Sequence, residues 1–357
     1  MIQDGRRPTA DDLLVRLRTT PDAYPQKLDL VRESCLVIEL AEAAYRSASF
    51  LDDRILGPAT RGAWLTFDGV LDAARRAADL RPLHFIFHTG HVGSTLVSRL
   101  LDETGAVLSL REPLPLRTLA DASDVIQQPE SLLAPSRFDD LLEAQLRLWR
   151  RGYPATSCVV VKATSSAARL APAILTRGAT RAVYLNLRAE PSIATLLAGA
   201  NSALDLRGHG PGRIRRLRAR VAAPLDPLHA LSIGELAAMS WLTETLNRQD
   251  VLARFADRVL AVDFDAFLAD VGSGMRRVLT HFGLPADDLL AARLAASPVL
   301  ARYSKATEHA YGAALRAQVL DNARFEHQAE IGRALAWLAD LARRDDTVAS
   351  VLAAEAS

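Results

Sequence analysis

The sequence predicts an α/β fold: a three-layer sandwich with a central, mainly parallel sheet, plus helical elaborations at its N-terminal and C-terminal ends. Two observations indicate this fold. Short apolar runs of strand length alternate along the chain with longer helical segments. The runs are apolar throughout, as in strands that are buried on both faces. Such an alternation of strand and helix implies a parallel sheet that is covered by helices on both sides.

Four apolar runs are the predicted strands: "LHFIF" from Leu83, "CVVVKA" from Cys158, "RAVYLNL" from Arg181 and "RVLAVDF" from Arg258. Helical segments lie between and after them: "STLVSRLLDE", "FDDLLEAQLRLWRR", "PSIATLLAGA", "SIGELAAMSWLTETLNRQDVLARF", "MRRVLTHFGL" and "EIGRALAWLADLARR". A chain of 357 residues is long enough to bury a substantial core. We therefore assign residues 81–357 to one α/β domain that includes the C-terminal helices.

The first part of the chain, residues 1–80, is predicted to be a helical extension that packs on this domain. Its segment "LDLVRESCLVIELAEAAY" carries apolar residues at mixed helical spacings, and "FDGVLDAARRAADL" is a second, alanine-rich helix candidate.

Composition narrows the class of protein. Lys and Arg number 43 against 42 Asp and Glu, a balance that argues against a protein dedicated to nucleic acid. Cys35 and Cys158 are too few for a disulfide scaffold, which favours a reducing compartment. The N-terminus lacks the apolar core of a signal peptide, and no segment has the roughly 18 apolar residues of a membrane span. We expect a cytoplasmic protein without a nucleic-acid or membrane partner.

The run "LHFIF" leads directly into a glycine-containing turn and then a helix, the arrangement of a phosphate-binding loop. Glycines permit tight backbone geometry, and the free amides and positive dipole end of the helix attract an anion. The predicted anion-binding positions are Gly90, His91, Val92, Gly93, Ser94 and Thr95. A plain turn between a strand and a helix remains the alternative.

The loop departs from the signature of nucleotide hydrolases. That signature needs four residues between its glycines and then Gly-Lys, whereas two residues separate Gly90 from Gly93 and Ser94 stands in the place of the lysine. Without a cation on the β- and γ-phosphates, hydrolysis of ATP or GTP is disfavoured.

Together with "VLSLREPLPLR" after it, the loop resembles the bacterial P-loop sulfotransferases. A second match, "RVLAVDFDAFLADVGSGMRRVLTHFGLP" from Arg258 to Pro285, resembles a later strand, acidic turn and helix of the same family. The resemblance covers roughly residues 83–285 in layout. It implies a P-loop sandwich fold and a metal-free reaction. The sulfuryl group of 3′-phosphoadenosine 5′-phosphosulfate (PAPS) would move to a hydroxyl or amine of a small molecule or glycan.

The resemblance also implies roles for individual residues. His91 stands where the family commonly has Lys or Arg, so it is the predicted cationic or hydrogen-bonding group of the loop. Glu112 is the predicted general base, which would take the proton of the acceptor. The alternative for Glu112 is an ion pair with Arg111 or Arg117, and His88 is a further candidate base or donor.

Arg188, at the end of a predicted strand, is the expected ligand of the donor's 3′-phosphate. The family has a serine eight residues later, but Leu196 stands there in this chain. Thr195 or Ser192 would replace that serine only with a shifted helix.

Three further features have a functional and a structural interpretation. The run "RIRRLRAR" is either a basic flap or a solvated helix face. Arg302, Tyr303 and Lys305 are candidates for a late basic loop at the 3′-phosphate. Asp263 and Asp265 suggest a helix cap more than a metal site.

Two other functions remain open at this stage: a P-loop kinase for a small substrate, and a sulfotransferase-like protein that binds the nucleotide without turnover. The identity of the acceptor and the oligomeric state are not encoded in any motif.

Overall fold

The computed structural model describes residues 8–199, 202–304 and 312–356. Its strands are β1 (Ala23–Asp29), β2 (Ser34–Glu39), β3 (Gly62–Thr66), β4 (Leu83–His88), β5 (Val107–Arg111), β6 (Cys158–Lys162), β7 (Ala182–Asn186) and β8 (Val259–Asp263). Its helices are α1 (Ala10–Thr19), α2 (Glu42–Ser47), α3 (Phe67–Arg75), α4 (Ser94–Asp102), α5 (Leu114–Ser123), α6 (Pro135–Leu148), α7 (Ala171–Leu175), α8 (Ala189–Ala198), α9 (Ser202–Arg218), α10 (Ile233–Arg254), α11 (Phe264–Ala269), α12 (Val271–Phe282), α13 (Asp288–Ala295), α14 (Ala313–Glu326), α15 (Gln328–Arg344) and α16 (Asp346–Ala356).

The central sheet has five parallel strands in the order β5-β6-β4-β7-β8, so the predicted α/β fold with a parallel sheet is confirmed. The four predicted runs are β4, β6, β7 and β8. The fifth strand, β5, is the "VLSLR" that follows the first crossover helix, α4. From β4 the chain moves first to one side of the sheet and later, at β7, to the other. The loop after β4 therefore lies at the switch point where ligands of open α/β sheets bind.

Apolar side chains cover both faces of this sheet. Ile86, Val160 and Val183 belong to a cluster that includes α4 and α12. Their strand neighbours Phe85 and Val161 belong to a second cluster, which includes α6 and the N-terminal elements. Alternate residues of each strand thus point to opposite helical layers, as the pleat of a strand requires.

The N-terminal extension is only partly helical, and the prediction was wrong for "SCLVIE". This segment is β2, the middle strand of a three-stranded antiparallel sheet in the order β1-β2-β3. Cys35 and Val37 are fully buried whereas Leu36 between them is less so, which is the alternation of a strand. The second candidate is confirmed as α3, where the Thr66 hydroxyl accepts a hydrogen bond from the Gly69 amide at 3.2 Å.

This extension shares one apolar core with the central sheet. Two buried arginines add polar links between them. Arg111, at the end of β5, donates to the carbonyl of Ala48 at 2.8 Å and of Tyr45 at 3.1 Å, and pairs with Asp102 of α4. Arg151 donates to the carbonyls of Thr20 at 2.6 Å and Ala23 at 2.9 Å. The extension is therefore packed directly against the strands that carry the site.

The C-terminal part is helical, as predicted, and "EIGRALAWLADLARR" lies within α15. Helices α14, α15 and α16 join α8, α9 and α10 in a third apolar cluster. In the part of the chain that the structure describes, no helix is both long enough and apolar enough to cross a membrane.

Candidate functional site

The loop between β4 and α4 holds three residues with left-handed backbone geometry. Gly90 has a φ of 106°, His91 of 52° and Gly93 of 67°. Gly93 is also in close contact with Phe264, because a Cβ at this position would lie 2.0 Å from atoms of the phenylalanine ring. Only glycine satisfies both requirements there. Val92, between them, is fully buried and anchors the loop in the core.

His88 is part of the support of this loop. One ring nitrogen, Nδ1, accepts a hydrogen bond from the Gly90 amide at 3.1 Å, and the other, Nε2, lies 2.9 Å from the carbonyl oxygen of Ala163. An imidazole that accepts at Nδ1 and donates from Nε2 is the neutral tautomer. Both nitrogens are thus engaged with the backbone, so His88 is better placed to position the loop than to act as a base.

Two threonine hydroxyls of the loop are buried without a hydrogen bond to any residue that the structure describes. They are the Oγ1 atoms of Thr89 and Thr95. Buried polar atoms in native proteins usually have partners, so two unsatisfied hydroxyls beside the first amides of α4 indicate a place for a polar ligand. The side chains and amides at this position can bind an anion without a lysine.

A cavity of about 440 Å³ opens at the loop. His91 and Ser94 line it on the loop side, and apolar residues from α11, α14 and residues 298–304 form much of its other wall. The apolar part of this wall includes Phe264, Leu268, Leu300, Val319 and Leu320. An apolar pocket that ends on a few polar groups is typical of a nucleotide or small-molecule site.

Late basic and aromatic residues reach the same cavity. Arg302 and Tyr303 line it, which brings these two candidates to the predicted loop; Lys305, the third, is outside the described residues. Arg316 of α14 lines it too, and its guanidinium lies 5.3 Å from the centre of the Phe264 ring. Arg316 was not predicted, because no motif marks α14 in the sequence.

Arg188 lies in a neighbouring cavity of about 510 Å³, which shares Arg316 and Leu320 with the first. It is exposed, precedes α8, and forms no ion pair with any described residue. The two other arginines of this cavity are paired, Arg316 with Asp265 at 2.8 Å and Arg324 with Glu190 at 2.8 Å. Arg188 is thus the arginine most available to an anionic ligand.

The hydroxyl expected to accompany Arg188 is differently placed. Leu196 is buried, and Thr195 lines the loop cavity but donates its hydroxyl proton to the carbonyl of Pro191 at 2.7 Å. Ser192 is buried as well. Thr195 is therefore brought to the loop, although its donor is already engaged within α8.

Glu112 lies on the other side of the loop and is paired with Lys162, not with Arg111 or Arg117. Its Oε1 forms an ion pair with the ammonium of Lys162, and its Oε2 accepts from the hydroxyl of Thr164 at 3.3 Å. Adjacent strands create this contact, because Arg111 at the end of β5 is in register with Lys162 at the end of β6. Glu112 has a φ of 52°, an unusual geometry for a non-glycine residue and one that is frequent at functional sites.

Arg111 and Lys162 have different functions despite this register. Burial lowers the pKa of Arg111 to about 9, and the nearby Arg99 and Arg46 contribute to this shift. Its guanidinium is directed to α2 and Asp102, so it does not face the loop. Lys162 is also buried, but Glu112 is its ion-pair partner among the described residues. The sequence signal for Lys162 was a lysine that ends an otherwise apolar strand.

The basic run of α9 has a structural role. Arg213 pairs with Asp205, Arg216 with Asp124 and Glu244, and Arg220 with Asp250. Burial raises the pKa of Glu244 and lowers that of Arg216, as expected for charges enclosed between helices. Arg213 and Arg216 are largely enclosed, and all three arginines are held by ion pairs to neighbouring segments, so they do not form a flap over a nucleotide.

The acidic turn after β8 is likewise structural. Asp263 accepts a hydrogen bond from the Ala266 amide at 2.9 Å and so caps α11, while Asp265 pairs with Arg316. Across residues 8–199, 202–304 and 312–356 no three His, Cys, Asp or Glu side chains are grouped so that they could hold a metal ion.

No protein-family model and no curated protein matches this chain. Solved structures with a similar arrangement include three sulfotransferases. The sulfotransferase domain of the curacin biosynthetic pathway is 13% identical and has a TM-score of 0.38, with 73% of this chain and 99% of that one covered. The sulfotransferase domain of the Synechococcus PCC 7002 olefin synthase is 16% identical with a TM-score of 0.38, and the match covers 69% of this chain and 90% of that one. The sulfotransferase STF9 from Mycobacterium avium is 14% identical with a TM-score of 0.37, and the match covers 91% of this chain and 97% of that one.

Retinol dehydratase, solved with retinol and PAP, is 15% identical with a TM-score of 0.31, and the match covers 82% of this chain and 78% of that one. Because these identities and TM-scores are low, the α/β fold of this chain is assigned from its own strand order.

Proposed function

We propose that this protein is a PAPS-dependent sulfotransferase. The observation that supports it most directly is the contact of Glu112 with Lys162 beside an anion-binding loop that has no lysine of its own. A carboxylate base and a buried ammonium, next to free helix amides, are the groups that transfer of a sulfuryl group to a hydroxyl needs.

The donor fits the β7 and β8 side of the loop. Its phosphosulfate would lie at the first amides of α4 with the hydroxyls of Ser94 and Thr95, and its adenosine in the apolar cavity of about 440 Å³. Arg188 would bind the 3′-phosphate in the adjoining cavity. An arginine there matches a phosphate because its guanidinium can donate two parallel hydrogen bonds.

The acceptor fits the β5 and β6 side, where the N-terminal extension borders Glu112. Leu51 donates its amide to the Arg111 carbonyl at 2.7 Å and accepts from the Leu114 amide at 3.4 Å, so residues 50–54 run beside the base. Asp52 lies close enough for the charge of Glu112 to act on it. Burial and that charge raise the pKa of Asp52, but hydrogen bonds from Arg54 bring it below its usual value. A small molecule or glycan with a hydroxyl or amine would bind in this area.

The reaction then follows from the groups in place. The acceptor oxygen or nitrogen attacks sulfur as its proton passes to Glu112, and the bond between sulfur and the 5′-phosphate oxygen breaks. The products are the sulfated acceptor and 3′,5′-phosphoadenosine (PAP). The charge that grows on the departing phosphate would be stabilised by the loop amides, and Lys162 would supply, at the sulfuryl group, the cation that the loop lacks.

Thermal unfolding with added ligand tests the proposal before any acceptor is known. PAP should raise the midpoint temperature because it binds only the folded state, and EDTA should not reduce this shift. ADP with Mg²⁺ is the comparison, since a small-molecule kinase would respond to it. Stabilisation by Mg-ADP alone would support a kinase, and no response to either nucleotide would contradict both functions.

A further inference from the structure

We infer that the ion pair between Lys162 and Glu112 is a charge lock that makes the donor bind before the acceptor. Without donor, the ammonium of Lys162 holds the carboxylate of Glu112. When the donor binds, its sulfuryl group pairs with the ammonium of Lys162, and the carboxylate of Glu112 becomes available to the acceptor. This inference rests on the proposed function and specifies the order in which the two substrates bind.

The carboxylate is fully occupied in the structure. One oxygen of Glu112 is paired with Lys162 and the other accepts from Thr164. The Glu112 side chain is 14% exposed and the Lys162 side chain 1% exposed, so water screens this pair little. A general base needs an oxygen that can reach the acceptor proton, and here both oxygens are committed. A second event must therefore release the base.

Lys162 lies next to the donor site. It follows Val161 on β6 and shares the face of Val160, whose cluster contains α4. The next residue, Ala163, is bonded through its carbonyl to the ring of His88, whose Nδ1 in turn accepts from the Gly90 amide of the loop. On the same face, the hydroxyls of Thr95 and Ser98 in α4 have no hydrogen bond to any described residue. Polar atoms of α4 that could bind a donor thus lie on the face of the sheet that carries Lys162.

Exchange of one anion for another is the physical basis of the lock. A buried ammonium cannot lose its carboxylate without a large desolvation penalty, but a sulfuryl group brings a replacement negative charge. The carboxylate of Glu112 competes with the donor for the ammonium of Lys162, and its negative charge also repels the donor's sulfuryl group. The lock consequently weakens the binding of PAPS, which carries the sulfuryl group, and leaves PAP, which lacks it, nearly unaffected.

Calorimetric titrations with PAPS and with PAP, in the absence of acceptor, test this. Glu112→Gln keeps the size of the side chain and removes its charge, and we expect PAPS to bind about five- to tenfold more tightly and PAP to change by less than about twofold. Lys162→Met should instead weaken the binding of PAPS and abolish any preference for PAPS over PAP. Glu143→Gln, in the distant α6, is the matched control and should leave both affinities at the wild-type value.

Thermal unfolding identifies any variant that fails to fold. Glu112→Asn is then the substitute, because asparagine tolerates a φ of 52° better than most residues. An unchanged ratio of PAPS to PAP affinity in the folded charge-free variant, or an equal gain for both nucleotides, would overturn the lock. Failure of the wild-type protein to bind either nucleotide would instead overturn the proposed sulfotransferase function.

Discussion

In the proposed function single residues carry the chemistry, and the order of the strands positions Glu112 and Lys162. Glu112 has a left-handed backbone conformation, and its amide donates a hydrogen bond to the Lys162 carbonyl at 2.7 Å. The residue before it, Arg111, has its side chain bonded to the N-terminal extension. A residue in this region of φ and ψ persists only when its surroundings determine it. The strain at Glu112 is thus consistent with a carboxylate that must meet both Lys162 and an acceptor.

Arg188 gives a prediction at this scale. Replacing it with glutamine should weaken PAP binding by about ten- to a hundredfold, the loss expected when a charged group gives up its hydrogen bonds to phosphate. AMP, which has no 3′-phosphate, should lose less than about threefold by the same reasoning. The measurement is a calorimetric titration with both nucleotides.

Arg218→Gln is the control for that experiment, because Arg218 is an exposed arginine at the end of α9, away from both cavities. An equal loss for AMP and PAP in Arg188→Gln would show that Arg188 does not recognise the 3′-phosphate.

At the scale of an element, the loop between β4 and α4 is packed closely against Phe264 of α11. Gly93→Ala should destabilise the protein for two reasons: alanine disfavours a φ of 67°, and its Cβ would clash with the Phe264 ring. Gly105→Ala separates them, since Gly105 has a φ of 75° but open space around it. In urea unfolding we expect about 1 kcal/mol for Gly105→Ala and roughly 2 kcal/mol more for Gly93→Ala. Equal losses would mean that the contact with Phe264 is not tight.

Elements of this sheet could be predicted where a strand that is buried on both faces contains a continuous run of at least three apolar residues. β4 and β6 are of this kind. β5 was harder because Ser109 and Arg111 interrupt its apolar pattern. Ser109 is buried with a hydrogen bond to the Ser98 carbonyl of α4, and Arg111 with partners on α4 and on the extension, where Ala48 lies 63 residues away in the sequence. For β2, a six-residue segment with mixed spacing did not distinguish a half-buried strand from a helix.

The residues of the candidate site could be proposed from the sequence one by one, but the contact between Glu112 and Lys162 could not. The loop and Glu112 have local signals, whereas the contact of Glu112 with Lys162 depends on β5 and β6 being neighbours in a given register. No spacing along the chain contains that register, because 50 residues separate the two side chains. Arg316 reaches the cavity for a similar reason, through the packing of α14 over the loop.

At the scale of the whole molecule, stability should depend on pH through His84. It is buried against Phe282, with ring centres 4.9 Å apart, and burial, with the charges of Arg181 and His281, lowers its pKa to about 4. In the unfolded chain His84 takes up a proton near pH 6.5, whereas in the folded protein it does so only near pH 4. The contribution of His84 to the free energy of unfolding is therefore fully present above pH 6.5 and is lost as the pH falls toward 4. The loss should be on the order of 2–3 kcal/mol by pH 4. Urea unfolding of His84→Gln across this range should lack that component, and an identical pH dependence would contradict the assignment.

The N-terminal extension should be indispensable to the whole fold. It covers the face of the sheet that carries Phe85 and Phe87, in one core with Leu13, Leu17 and Phe67. A chain that begins at Arg81 would expose this apolar face to water. It would also leave the buried Arg151 without the carbonyls of Thr20 and Ala23, and both changes lower the free energy of unfolding. We expect the truncated chain to lose its near-ultraviolet circular dichroism and to bind an apolar dye. A truncated chain that unfolds cooperatively and still binds PAP would show that residues 81–357 fold as an independent domain, and the extension would then contribute only the wall beside Glu112.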